Sequence, residues 1–292
     1  MLNNLPFIPS RYENATRVAP CNSSNLAPYF SATYGNNFNK KIVSQNFSRA
    51  AKNYDSNAQT QYLAAQKLCQ LALSYIKNNA KILDLGAGSG FVSNNLSASK
   101  NKVSIFESDL SFEMLKQKRA SNDIFQIQSD FENLPFKNHS FDILISSFSL
   151  QWLNDFEKNF SQFSSLLKPQ GFFIFCLPTA GSLQELTLAS ASSNCNFNFN
   201  NLPEINYLKS ILEKCGFAQN LCESEVLKSE FDSGIAALKS IKKTGANYLI
   251  KKKPVSKTQF ESFDSFCLKN FCSLSKKISI SWNVSYFIYQ KF

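Results

Sequence analysis

Apolar and polar positions change their spacing repeatedly along the 292-residue chain, and each change marks an element. From Ile42 the spacing is helical. Residues 47–61 lead into 62–76, where Leu63, Ala64, Leu68, Leu71 and Ile76 recur at helical intervals. Residues 81–85 are a short apolar run with β character, followed by a helix opening near Gly90. Further strands are expected at 102–106 and 125–128, with a short helix at 112–119 between them. Strands at 141–146 and 171–177 flank a helix at 154–167, which stops before Pro169 and Gly171. Beyond Pro178 the pattern is mostly helical, with candidates at 182–192, 203–215, 232–244 and 257–271 and one strand near 223–227. Residues 281–289 alternate and are rich in aromatics, as a terminal antiparallel strand would be.

Strands alternating with helices predict an α/β fold: right-handed crossovers, a mostly parallel sheet and helices on both faces. Ligands of such sheets bind at the carboxyl ends of the strands. That rule gathers Gly86, Asp109, Asp130 and residues 146–152 around one crevice. The helical insertion at about 180–275, before the last strand, is the natural place for a substrate lid. Residues 1–40 show no period and no signal-peptide core. They read as an extension, disordered or loosely docked, ahead of one domain at 41–292.

Composition narrows the function classes. Hydrophobic residues make up 43% of the chain, which suffices for a core, and no apolar run approaches the roughly 18 residues of a membrane span. Eight cysteines without a C-x-x-C pair point to free thiols in a reduced, cytoplasmic protein. Organelle targeting by residues 1–40, where Glu13 is the lone acid, stays open. With His139 the single histidine, a His-based metal site or Ser-His triad is not expected, and no metal is assigned. The net charge of +10 suits an acidic partner. Lys242, Lys243, Lys251, Lys252 and Lys253 cluster in the insertion, without the aromatic interleaving of an RNA-binding surface, so nucleic acid is disfavoured.

The densest chemical signal is residues 81–90, Lys-Ile-Leu-Asp-Leu-Gly-Ala-Gly-Ser-Gly. A buried strand runs into glycines at alternate positions, where backbone must turn tightly and approach a ligand. The spacing Gly86-x-Gly88-x-Gly90 departs from the dinucleotide fingerprint, because position 91 is Phe. With Asp84 ahead of it, the stretch resembles motif I of class I methyltransferases that use S-adenosylmethionine. That resemblance implies a Rossmann-like, mostly parallel seven-stranded sheet and places Asp84 and the glycine turn at the methionine end. An acid at the end of the second strand can accept from both ribose hydroxyls. Asp109, nineteen positions beyond Gly90, is preferred, with Glu107 the alternative. Asp130 and Phe131, ending the third strand, suit the adenine amino group and ring face. Gln151 and Trp152 follow the fourth strand, where a tryptophan serves equally as core or as a wall beside the reacting methyl group.

Four further stretches resemble the biotin-synthesis methyltransferases that esterify malonyl-acyl carrier protein. They are Phe47-x-Arg49-Ala50-Ala51-x-x-Tyr54-Asp55-x-x-Ala58-x-x-Gln61, Phe148-x-Leu150-Gln151-Trp152, Thr179-x-Gly181-Ser182-Leu183-x-Glu185-Leu186 and Leu238-Lys239-x-Ile241-x-x-x-Gly245-Ala246. The resemblance covers about residues 42–292 and implies methylation of a free carboxylate without a general base. It puts Tyr54 over the cofactor, Ser182 on the substrate side and the basic insertion against the acidic carrier protein. Competing readings are a class I methyltransferase for another small carboxylate, a quinone or tRNA, and a cofactor-binding assembly factor for respiratory complex I. Residues 1–40 and the Asn/Phe-rich stretch 194–201 have no counterpart in the resemblance.

Overall fold

The computed structural model describes residues 15–18, 37–97, 101–117, 123–195, 197, 199, 201–246, 255–273 and 275–292. Its strands are β1 (Ala15–Val18), β2 (Ala80–Leu85), β3 (Val103–Asp109), β4 (Ile124–Gln128), β5 (Phe141–Ser147), β6 (Leu167–Pro178), β7 (Phe217–Phe231) and β8 (Ile278–Lys291). The helices are α1 (Lys40–Ala50), α2 (Tyr54–Asn57), α3 (Gln59–Ala72), α4 (Phe91–Ser97), α5 (Phe112–Leu115), α6 (Phe156–Leu166), α7 (Gln184–Ser192), α8 (Ile205–Lys214), α9 (Gly234–Lys243) and α10 (Lys257–Phe271).

One sheet has the strand order β1-β7-β8-β6-β5-β2-β3-β4. Strands β2 to β6 pair in parallel, and β8 runs antiparallel to both β6 and β7. The chain leaves β2 for β3 on one side and later returns to β5 on the other. That reversal opens a crevice at the carboxyl end of β2. The expected seven-stranded sheet is thus present. An eighth strand, β1, comes from the stretch 1–40 and pairs antiparallel with the outer edge of β7.

The central strands are apolar on both faces, as parallel strands covered by helices must be. Side chains alternate between two cores. Ile82, Ile143, Ile145, Ile174, Tyr286 and Ile288 pack on one face with Ala64, Leu68 and Ala72 of α3. Leu83, Leu85, Leu144, Phe173, Phe175, Phe287 and Tyr289 pack on the other with Phe160 and Phe163 of α6 and Leu208 of α8. A third core unites Leu186, Ala237, Leu238, Ile241, Phe263 and Cys267 of α7, α9 and α10 with Ile278 and Ile280 of β8.

The region 180–275 differs from the expected helical insertion. The strand placed near 223–227 runs from Phe217 to Phe231 and forms fourteen register pairs with β8. It divides the region, so α8 belongs to the sheet's flank, while α7, α9 and α10 form the helical subdomain. The stretch 42–76 is likewise not one helix: a 3₁₀ turn at Ala51–Asn53 and a break at Ala58 (φ −102°, ψ 42°) separate α1, α2 and α3. Among the described residues no helix is long and apolar enough to cross a membrane.

Candidate active site

The glycine turn hangs from the ends of two neighbouring strands. Gly86 and Ala87 donate their amides to the Ser108 carbonyl at 2.8 and 3.0 Å, and Gly88 donates to the Asp109 carboxylate at 2.8 Å. All three glycines have positive φ: +69°, +58° and +87° at Gly86, Gly88 and Gly90. A side chain at Gly86 would also strike the Ser149 side chain, whose hydroxyl donates to the Leu85 carbonyl at 2.7 Å.

The turn floors a cavity of about 830 Å³, open mouth included. Asp84, Gly86, Gly88, Ser89, Asp109, Asp130 and Phe131 line it together, so the crevice assembles the acids and glycines that the sequence separates. Gly90 closes the turn by donating to the Ala87 carbonyl at 3.0 Å.

The two candidate acids of β3 part company. Asp109 lines the cavity and also accepts from the Ser111 amide at 2.7 Å. Burial pushes its carboxyl up to about 6, against the opposing pull of these backbone hydrogen bonds. Glu107 is absent from the lining. It is buried at 1% exposure, accepting from the Ser93 hydroxyl and from the Gln126 amide at 2.9 Å. A strand turns successive residues to opposite faces, but these two share one; what separates them is depth, since α4 covers Glu107 and the crevice begins beyond it.

Helix α1 roofs the cavity with Lys40, Val43, Ser44 and Phe47. It is tied down at several points. The Phe38 amide donates to Asn154 Oδ1 at 2.6 Å, Ser44 to the Leu110 carbonyl at 3.2 Å, and Ser48 and Ser111 share a 2.8 Å hydrogen bond. Lys40 Nζ lies 2.8 Å from Glu132, 3.1 Å from the Trp152 carbonyl and 4.6 Å from the centre of the Phe131 ring. Of the residues that form the roof, the sequence pattern pointed only to Phe47, through its motif; Lys40, Ser44 and Ser48 carry no sequence signal that sets them apart.

A second cavity of about 560 Å³ adjoins the first, between the sheet and the helical subdomain. Gln151, Ser182, Phe199, Leu202, Thr244 and Trp282 belong to it alone, whereas Phe47, Tyr54, Gln61, Phe148 and Trp152 line both cavities. Those five residues form a partition. Phe47 packs edge-on against Trp152 at 5.7 Å and at a tilt against Tyr54 at 6.4 Å. Phe148 has φ +52°, an uncommon conformation for a bulky residue and one that collects at functional sites. Burial first, then Asp109 and Asp55, raise the Tyr54 hydroxyl well above the usual phenol range, so it stays a protonated donor.

The substrate-side candidates Tyr54, Gln151, Trp152 and Ser182 all reach this second cavity. Ser182 is engaged in structure: its hydroxyl donates to the Thr179 carbonyl at 2.8 Å and accepts from the Asn283 amide at 2.9 Å, pinning the turn to β8. Gln151 donates to the Phe148 carbonyl at 2.8 Å. Among the described residues the second cavity has no Lys, Arg or His in its lining. Lys242 and Lys243 are exposed in the last turn of α9, just before Thr244 and Ala246 of the cavity. Lys251, Lys252 and Lys253 lie outside the described residues. His139 sits ahead of β5, at the opposite end of the sheet.

The first cavity fits S-adenosylmethionine on its own geometry. The Ser89 hydroxyl is buried at its wall with no hydrogen-bond partner among the described residues, the glycine turn leaves room for close approach, and carboxylates stand at the ends of β3 and β4. Comparison with known proteins agrees. Residues 83–175 match the family described as "Methyltransferase domain". A malonyl-acyl-carrier protein O-methyltransferase of Buchnera aphidicola is 31% identical over 211 residues, 72% of this chain and 83% of that protein. The biotin biosynthesis bifunctional protein BioHC of Saccharophagus degradans is 31% identical over 72% of this chain and 38% of its own length. Among solved structures, the YcgJ protein of Bacillus subtilis superposes with a TM-score of 0.55 at 16% identity, covering 78% of this chain and 97% of its own. This last likeness concerns the fold alone.

Proposed function

The chain belongs to the malonyl-acyl-carrier protein O-methyltransferase family, and we propose that it methylates the free carboxylate of malonyl-acyl carrier protein, an early step of biotin synthesis. The observation that carries this reading is the pair of adjoining cavities with one shared partition, in a chain 31% identical to a relative bearing that name. S-adenosylmethionine, the methyl donor, supplies an electrophilic carbon, so that a carboxylate oxygen forms the C–O bond while the C–S bond breaks and its electrons leave with sulfur.

The residues bind and orient. Asp109 accepts from the ribose hydroxyls, Asp130 and Phe131 meet the adenine, and Asp84, the Gly86–Gly90 backbone and Ser89 hold the methionine end. Aromatic side chains of the partition exclude water from the point of transfer. A malonyl carboxylate is ionised at neutral pH, so no side chain has to remove a proton. The second cavity, lined by Phe199, Leu202 and Trp282 and free of cationic side chains among the described residues, takes the acyl thioester and leaves its carboxylate poorly solvated. Lys242 and Lys243 at its rim, with Lys251, Lys252 and Lys253, attract the acidic carrier protein, which speeds encounter more than it adds affinity.

Purified protein offered radiolabelled S-adenosylmethionine with malonyl-, succinyl- and unloaded carrier protein is expected to label the malonyl form. An unlabelled malonyl-carrier protein would falsify the reading. Reversing Lys242 and Lys243 to Glu raises KM for the carrier protein at low salt and leaves KM for the methyl donor unchanged; an unaltered carrier KM would make those lysines an ordinary solvated face.

A further inference from the structure

Gln61 is the one non-aromatic residue of the partition. It stands on α3 in the row Gln61, Ala65, Leu68, Ala72, whose other members are fully buried. Positions spaced by four, three and four residues share a helix face, so periodicity asks for an apolar side chain where the amide stands. An amide half removed from water is unfavourable unless a partner replaces its hydration. Thr60 beside it has such a partner, the Ser229 hydroxyl at 3.1 Å. The Gln61 side chain makes no hydrogen bond among the described residues.

Its neighbours in the partition are held differently. Tyr54 packs on Phe91 at 5.9 Å, Trp152 on Phe38 at 5.1 Å and Phe148 on Trp282 at 6.0 Å. Ring packing accounts for their positions. It does not account for Gln61. Of the other polar side chains in the second cavity, the Ser182 and Thr244 hydroxyls and the Gln151 amide N–H donate to backbone carbonyls. The atom that Gln151 leaves unpartnered is its Oε1, an acceptor that cannot bind a carboxylate; among the described residues the Tyr54 hydroxyl is the other open donor beside Gln61.

We propose that Gln61 orients the acceptor carboxylate, donating a side-chain N–H to one oxygen and leaving the other directed at the cofactor cavity. The proposal rests on the carboxylate methylation assigned above. A cation in this place would pair with both oxygens and hold the nucleophile back. A neutral amide binds one and leaves the second reactive. The same contact favours turnover, because a hydrogen bond to an ionised carboxylate is stronger than one to the ester that replaces it.

The test compares Gln61→Leu and the closer-shaped Gln61→Met with wild type. Four quantities are measured: thermal midpoint, affinity for S-adenosylhomocysteine, kcat/KM with malonyl-carrier protein, and binding of a malonyl thioester against its methyl ester to protein loaded with S-adenosylhomocysteine. Both variants are expected to be at least as stable as wild type and to keep cofactor affinity. They lose about 10- to 100-fold in kcat/KM, the loss of one hydrogen bond to a charged group, together with the preference for acid over ester. Wild-type kcat/KM in the variants overturns the proposal, as does a loss confined to cofactor affinity, and both leave the methyltransferase reading intact. A wild-type protein that binds cofactor but methylates no malonyl-carrier protein overturns both.

Discussion

The Asp109 carboxylate accepts the Gly88 amide at 2.8 Å, so the end of β3 fixes the turn that follows β2. One side chain thereby does two things: it shapes the glycine turn and presents an acceptor to the cavity.

The protonation of Asp109 links stability to pH. Burial raises its carboxyl to about 6, above the ordinary carboxylate range, so the folded chain keeps this proton to a higher pH than the unfolded chain does. The stabilising contribution of the group is complete below about pH 4 and is lost as pH rises to about 6, flat thereafter. Denaturant titrations of cofactor-free protein from pH 4 to 7 are expected to show this decline in wild type and not in Asp109→Asn. Affinity for S-adenosylhomocysteine is expected to move the opposite way, weakening below about pH 6 as Asp109, the proposed ribose acceptor, becomes protonated.

Substitution separates the two acids of β3. Asp109→Ala lowers cofactor affinity severely in a protein that still folds. Glu107→Ala removes the buried partner of Ser93 and Gln126, destabilises by about 1–3 kcal/mol and leaves cofactor affinity of the folded fraction near wild type. Calorimetric titration beside thermal melts reads both effects; the reverse pattern would exchange the roles of the two acids.

Gly86→Ala strains the backbone and the contact with Ser149 together. Positive φ disfavours alanine by about 1–2 kcal/mol, and the new methyl has to displace the Ser149 side chain, which anchors the turn to Leu85. Expected are a lower thermal midpoint and loss of detectable cofactor binding. Gly216→Ala, also at positive φ but with open space around it, serves as control: it shares the backbone strain and keeps the binding.

Lys40→Met removes the ion pair with Glu132 and the contact over Phe131 while keeping most of the aliphatic stem. The half-buried pair contributes little to overall stability, about 1 kcal/mol or less. Its larger effect falls on the roof. Stopped-flow measurement is expected to show faster dissociation of S-adenosylhomocysteine, with α1 becoming more sensitive to protease; equal dissociation rates would show that Lys40 does not hold α1 closed.

Strand and helix periodicity made most of the sheet and the cofactor side of the site legible, because both are local. Ile82, Leu83 and Leu85 announce a buried strand and Gly86 its end, and the sheet rule then gathers Asp109 and Asp130. Strand β7 was only partly visible. Its sequence, Phe-Ala-Gln-Asn-Leu-Cys-Glu-Ser-Glu-Val-Leu-Lys-Ser-Glu-Phe, is largely polar, and it is held by pairing with β8 rather than by burial of both faces. The partition was hidden for another reason. Phe47, Gln61, Phe148 and Trp152 meet only through the tertiary fold. In a chain with 28 phenylalanines, nothing local distinguishes a wall from a core.

The shared partition also constrains how such an enzyme can change. Phe199, Leu202 and Trp282 border the second cavity and not the first, so under the proposed function drift at these positions alters acyl preference without touching the methyl donor. Phe47, Tyr54, Gln61, Phe148 and Trp152 have no such independence. A change of bulk at one of the four aromatic residues among them reshapes both cavities at once. On that reading, a new acceptor specificity is reached with least disturbance of the donor from the outer wall of the second cavity inward.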